Sequence, residues 1–169
     1  MIHVKTKQIV LTAMFTAMVM VTTFIGIDTP LGAGGYIHLG TLTMFVIALK
    51  FGPRYGAISG GLGAALFDVL SRYFTWAPGT LIIRLVAGFV VGRVALSSAG
   101  QGANKTRNLL GILAGGAVIV IGYFIFESVF LGTGFAALSS IPGNIVQIVL
   151  GLFSLYIIHQ IPDLEDLEN

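Results

Sequence analysis

Residues 108–126 read NLLGILAGGAVIVIGYFIF, nineteen residues without a charge between Arg107 and Glu127. A helix needs about 20 predominantly apolar residues to cross a bilayer, so this stretch reads as a membrane span. Its glycines do not mark a loop, because in lipid small residues let helices approach closely. Working outward, further charge-free runs cover 8–27, 29–49 and 128–162. The last, 35 residues long, holds the end of one helix and all of another. Gly132-Thr133-Gly134 breaks it, and Pro142-Gly143 stands just within the next helix start. Segments 55–72 and 79–96 are apolar enough to span, each with one ionisable residue in its interior.

The reading is an all-α membrane protein: a six-transmembrane-helix bundle with helices at 6–27, 38–51, 55–72, 79–97, 108–130 and 139–160. These form one membrane domain, 1–162, followed by an acidic tail, 163–169. Composition agrees. The 169 residues are 56% hydrophobic and only 9% charged, against about 25% charged in soluble domains. That excludes a water-facing surface and equally a disordered chain. Nine scattered basic residues make no nucleic-acid patch, and the absence of cysteine removes disulfide, thiolate and cysteine–metal chemistry.

Basic residues set the orientation. With the N-terminus in the cytoplasm, Lys5, Lys7, Lys50, Arg54, Arg93, Lys105 and Arg107 fall inside and only Arg72 outside, while Arg84 sits within a helix. Both termini are then cytoplasmic. The first apolar stretch exceeds a signal-peptide h-region and no A-x-A site follows, so it reads as a retained helix.

Two enzyme motifs fail. GQGANKT at 100–106 lacks the glycine that must precede the lysine of a phosphate loop. GAISG at 56–60 misses the G-x-S-x-G spacing. Three scattered histidines, His3, His38 and His159, offer no metal cluster. No catalytic residue, metal or cofactor is expected. If ATP drives this protein, another chain hydrolyses it.

Ionisable groups inside spans are costly and therefore candidate functional sites. Asp68, Arg84, Glu127, Asn144 and Gln147 all fall in the outer part of the bilayer, while the inner half is apolar. A through-channel needs polar lining along its whole length; this distribution describes a pocket at the outer side. Structural readings compete. Asp68 and Arg72 are i,i+4 neighbours that can neutralise each other. Arg84 and Glu127 can pair between helices, and Asn144 and Gln147 can serve as interhelical glue. Tyr36, Trp76, Tyr123, Phe126 and Phe130 share the same level. They fit either an interfacial aromatic belt or rings that sandwich a flat ligand oriented by Arg84, Glu127 and Asn144. The glycine-rich stretch 28–38, long for a bundle connection, reads as a lid. Small-residue pairs recur at Ala13/Ala17, Gly56/Gly60, Gly61/Ala65, Gly88/Gly92 and Gly111/Gly115; most are expected to pack within the bundle.

With these elements in order, the chain resembles the S component, the substrate-binding membrane subunit, of energy-coupling factor (ECF) vitamin transporters. The resemblance rests on six helices with both ends inside, Ala13 and Ala17 in helix 1, and GGYIHLG at 34–40. FGPRYGA at 51–57, GGLG at 60–63 leading to Asp68, and IPGNIVQ at 141–147 complete it. One departure is Thr41, where similar proteins often carry an acidic residue. The resemblance implies a multi-pass protein of the bacterial cytoplasmic membrane that captures a small vitamin or precursor from outside. It implies docking through the Ala13–Ala17 face onto a transmembrane coupling subunit carrying two ATPase subunits, and toppling in the membrane to deliver the ligand. Tyr36, His38, Trp76, Arg84, Tyr123, Glu127, Asn144 and Gln147 are the expected substrate-binding residues. The sequence is most similar to the branch handling pyridoxine or hydroxymethylpyrimidine, and pantothenate fits almost as well because an arginine can meet a carboxylate. The competing readings are an autonomous small-solute carrier and an intramembrane enzyme.

Overall fold

The computed structural model describes residues 6–28 and 36–161. Lys5, most of the expected lid and the acidic tail lie outside the described residues. Helix α1 is Thr6–Thr23, followed by strands β1, Gly26–Asp28, and β2, Tyr36–His38. Helices α2, Gly40–Phe51, and α3, Pro53–Leu70, come next. A 3₁₀ turn, Phe74–Trp76, leads into α4, Ala77–Ala95. Helix α5, Lys105–Ile125, continues as a π turn through Phe130; a 3₁₀ segment, Gly134–Ser140, then leads to α6, Ile141–Gly151, and the short α7, Ser154–Ile157.

The chain is an all-α membrane protein. Four helical segments, Thr6–Thr23, Phe74–Ala95, Lys105–Phe130 and Gly134–Ile157, are long and apolar enough to cross a membrane. Helix α3 matches α1 in length at 18 residues, but Arg54, Asp68 and its glycines lower its hydropathy. Helix α2, at 12 residues, measures only about 18 Å. It occupies the centre of the bundle. Its Met44, Phe45 and Ala48 are completely buried, packed with Val19 of α1, Ala87 and Val91 of α4, and Ile112 and Ile119 of α5. A helix apolar all round suits such a position. Other large apolar side chains of α1, α4, α5 and α6 point outward, among them Met14, Ile82, Leu110 and Val149. An exposed apolar exterior is what lipid requires.

Several boundaries differ from the sequence reading, each for a local reason. Helix 1 stops at Thr23 rather than 27, because Gly26–Asp28 pairs antiparallel with Tyr36–His38, Ile27 opposite Ile37. Helix 2 starts at Gly40 rather than 38. His38 belongs to β2, and its Nδ1 accepts the Gly40 N–H at 3.1 Å, taking up a donor that the helix start leaves free. Helix 5 starts at Lys105, capped by Asn104, whose side chain accepts the Arg107 N–H at 3.0 Å. The expected last helix, 139–160, is divided into a 3₁₀ segment, α6 and α7, and the proline falls at the first positions of α6, where its missing N–H costs nothing.

The glycine pairs pack within the bundle. A Cβ on Gly56 would lie 2.7 Å from Ala48 Cα and 3.1 Å from the Gly88 carbonyl, and one on Gly111 would lie 2.7 Å from the Val91 carbonyl. Backbone therefore meets backbone at the α3–α4 and α4–α5 crossings. Ala13 and Ala17 behave differently. Both are exposed on α1, in a largely apolar groove shared with Ile58, Leu62 and Leu66 of α3.

Candidate functional site

The β-hairpin end of the bundle holds a half-open cavity of about 60 Å³, room for roughly four waters. Side chains from β2, α3, α4, α5, the π turn and α6 reach it. All eight residues expected from sequence line this cavity: Tyr36, His38, Trp76, Arg84, Tyr123, Glu127, Asn144 and Gln147. Phe67, Asp68, Tyr73, Thr80, Ser140 and Gly143 complete the wall.

Arg84 organises the site. It is 2% exposed on α4, and three of its five N–H donors go to protein oxygens. Nη1 donates to Thr41 Oγ1 at 2.5 Å, Nη2 to Gln147 Oε1 at 3.3 Å, and Nε to Tyr123 OH at 3.3 Å. The guanidinium also lies 5.6 Å from the Tyr123 ring centroid, a cation–π distance. Thr41 hydroxyl donates to Gln147 Oε1 at 2.6 Å, Gln147 Nε2 donates to the Tyr36 carbonyl at 2.9 Å, and Tyr123 OH donates to Thr80 at 3.0 Å. One network thus ties β2, α2, α4, α5 and α6 together around the cavity. Because His38 Nδ1 accepts from Gly40, the neutral ring carries its proton on Nε2. The 3.3 Å approach of Arg84 Nη2 to that nitrogen is then a contact between two donors, not a hydrogen bond.

The structure separates the pairs that sequence left open. Arg72 does not neutralise Asp68: it pairs with Asp28 of β1, which also accepts the Tyr73 hydroxyl. Asp68 turns into the cavity instead. Arg84 and Glu127 make no ion pair. Glu127 Oε1 accepts the Trp76 indole N–H at 3.1 Å. Asn144 and Gln147 both face the cavity, and Gln147 also bridges helices. Among the rings, Tyr36 stacks on Phe67 at 5.3 Å and 8°, with Tyr73 and Trp76 continuing the wall. Phe130, 74% exposed, faces outward and stacks on Phe126; neither lines the cavity. Among the described residues, no three His, Cys, Asp or Glu side chains group as a metal site.

Thr41, Thr80, Phe67 and Ser140 were not expected at the site. Helical spacing carried the signal for two of them: Thr80 precedes Arg84 by four, and Ser140, Asn144 and Gln147 follow i, i+4, i+7.

At the rim, Arg72 beside Asp28 holds that carboxyl below the usual carboxylate range. A depressed carboxylate contributes stability above its unfolded value near 3.8 and loses it as pH falls through its lower folded value. The tie is therefore intact from pH 5 to 8. Asp28→Asn should speed amide hydrogen exchange at 26–28 while hardly moving the melting midpoint, because both partners are exposed. Unchanged exchange would mean that strand pairing alone holds the hairpin.

An apolar helical bundle with a buried polar cavity at one end defines a membrane protein of the solute-binding kind. The chain belongs to the family described as ECF-type riboflavin transporter, S component, which matches residues 3–161. It is 35% identical over 136 residues to an uncharacterized protein in the gap 3′ region of Pyrococcus woesei, covering 80% of this chain and 87% of that protein. It is 30% identical over 146 residues to the thiamine precursor transporter HmpT of Lactococcus lactis subsp. cremoris (strain MG1363), covering 86% of this chain and 81% of the relative. The family is one of transporter subunits, not an enzyme class.

Proposed function

We propose that the protein is the substrate-binding subunit of an ECF-type importer. It captures a small vitamin or vitamin precursor and delivers it across the cytoplasmic membrane with ATP hydrolysed by partner chains. The observation that carries this reading is the cavity at the hairpin end, lined by buried polar groups, walled by aromatic rings and cross-braced through Arg84. The positive-inside count puts that end outside, with six spans and both termini in the cytoplasm. Aromatic rings set around a few buried polar groups suit a single substituted ring, such as pyridoxine or hydroxymethylpyrimidine. The named transport of a thiamine precursor by the Lactococcus relative favours the same size class.

Mass spectrometry of small molecules released from the purified protein tests the reading directly. A stoichiometric single-ring vitamin or precursor is the expected result. Riboflavin in its place would overturn the single-ring reading. Uptake into liposomes by this chain alone would instead establish an autonomous carrier.

We further propose that Ala13 and Ala17 form the docking face for the coupling subunit. Both are small and exposed beside an apolar groove, a surface on which a partner helix can pack closely. Ala13→Trp or Ala17→Trp should reduce co-purification with the coupling and ATPase subunits by at least about tenfold, roughly 1.4 kcal/mol of lost association. Ligand affinity should stay unchanged, since the face lies on a different part of the molecule. Normal assembly of both variants would remove this role.

A further inference from the structure

Away from the cavity, the groove between α1 and α3 joins apolar walls to a single charge at one end. The two helices run side by side in the same direction. Phe15 meets Tyr55 at 5.7 Å between ring centroids, and Phe24 meets Phe67 at 4.8 Å. Between those levels a Cβ on Gly63 would lie 2.7 Å from the Thr16 carbonyl, so the backbones nearly touch. The groove follows this seam from Gln8 and Arg54, in the first turns of the two helices, to Met20 and Leu66. Gln8 and Met20 are 12 residues apart, about 18 Å along a helix. That is close to the depth of one leaflet in a hydrocarbon core about 30 Å thick. Among the described residues, Arg54 is the one charge in the lining, and it is exposed. Neither helix carries an acidic residue in its first turn, so the partial positive charge of both N-termini adds to that of Arg54.

We infer that this groove binds one anionic membrane phospholipid, its phosphate on Arg54 and one acyl chain laid along the α1–α3 seam toward Leu66. A guanidinium offers a planar fork of donors that meets two phosphate oxygens at once, and Gln8 across the groove adds an amide donor. Beyond that end the exposed Ile58, Leu62 and Leu66 present only hydrocarbon to the chain. Bulk lipid covers every exposed apolar side chain of the bundle. What sets this place apart is a cation at the mouth of a groove one leaflet deep, which matches an amphiphile with one negative head. The positive-inside count puts Arg54 at the cytoplasmic leaflet, whose anionic lipids attract basic residues. The inference is independent of the vitamin cavity. The groove includes Ala13 and Ala17, so a coupling subunit docking there would have to displace the lipid.

Native mass spectrometry of the purified chain alone, released from nanodiscs of equal phosphatidylglycerol and phosphatidylcholine, tests this. The expected result is one retained phosphatidylglycerol per chain, favoured over phosphatidylcholine by at least about fivefold, the preference one basic residue supplies near a membrane surface. Arg54→Gln should bring that preference close to unity. Lys105→Gln removes the same charge from the first turn of α5, which packs against α4 and α6, and should leave the preference unchanged. Ala17→Trp fills the groove without altering charge and should lower retention by about fivefold or more. All three positions are exposed, so the variants keep the fold. Equal retention of both lipids by the wild type, or the same loss of preference in Arg54→Gln and Lys105→Gln, would overturn the headgroup site. Full retention by Ala17→Trp would overturn the placement of the chain in the groove. Because no vitamin and no partner chain is present, these outcomes leave the reading of the cavity and of the docking face where they stood.

Discussion

Replacing Arg84 by alanine is expected to lower the folded stability by about 3 kcal/mol or more and to abolish ligand binding. The side chain is almost wholly buried, and its three hydrogen bonds join α4 to Thr41 of α2, Tyr123 of α5 and Gln147 of α6. Removing one member of a buried charged network costs about 3–5 kcal/mol, because partners lose bonds they cannot replace from water. Some of the network survives. Thr41 still donates to Gln147 and Tyr123 still donates to Thr80, which keeps the cost at the lower end. Asp68 and Glu127, however, would line a cavity with no cation in it. Arg84→Lys should fall between, since an ammonium keeps the charge but cannot span three acceptors with one planar fork. Thermal unfolding in detergent, followed by Trp76 fluorescence, gives the order wild type, Arg84→Lys, Arg84→Ala. An alanine variant as stable as wild type would mean that the network is incidental to the bundle.

Much of this site was legible in the sequence because its residues are exceptions to their surroundings. A charge or amide in an otherwise apolar span stands out without any structure, so Arg84, Glu127, Asn144 and Gln147 could be placed at one depth and did converge. What could not be read was which groups pair. Asp68 and Arg72 are one helical turn apart in sequence, yet α3 ends at Leu70 and the chain turns before Arg72. Arg72 consequently reaches β1, while Asp68 remains inside. The hairpin itself was hidden because three-residue strands leave no alternating pattern, and Gly26 and His38 reveal themselves only when paired. Thr41 was visible as a departure from similar proteins. Its role was not, because its two partners, Arg84 and Gln147, lie 43 and 106 residues away in the chain.

The largest purely structural effect is expected at Gly88. A Cβ there would fall against the backbone of Gly56 and within 2.8 Å of Ala57 N, atoms that cannot rotate aside as a side-chain tip can. Helices α3 and α4 would have to separate along their whole crossing. In lipid no gain in apolar burial offsets that separation, since bilayer and side chains are equally apolar, and close packing is what holds the pair. Gly88→Leu should therefore cost about 3 kcal/mol or more, seen as a lowered melting midpoint or loss of folded protein. Leu113→Ala, at an exposed position on α5, should change the midpoint little. The crossing also bears on function. Asp68 and Arg84 stand on these same two helices, and a Cβ on Gly61 would lie 3.0 Å from the Leu81 carbonyl between them. Gly61→Ala should wedge the helices near the cavity without touching it, so a ligand would bind more weakly while the fold persists. If Gly61→Ala instead binds with full affinity, the cavity is held by the Arg84 network alone and tolerates movement of the helices that carry it.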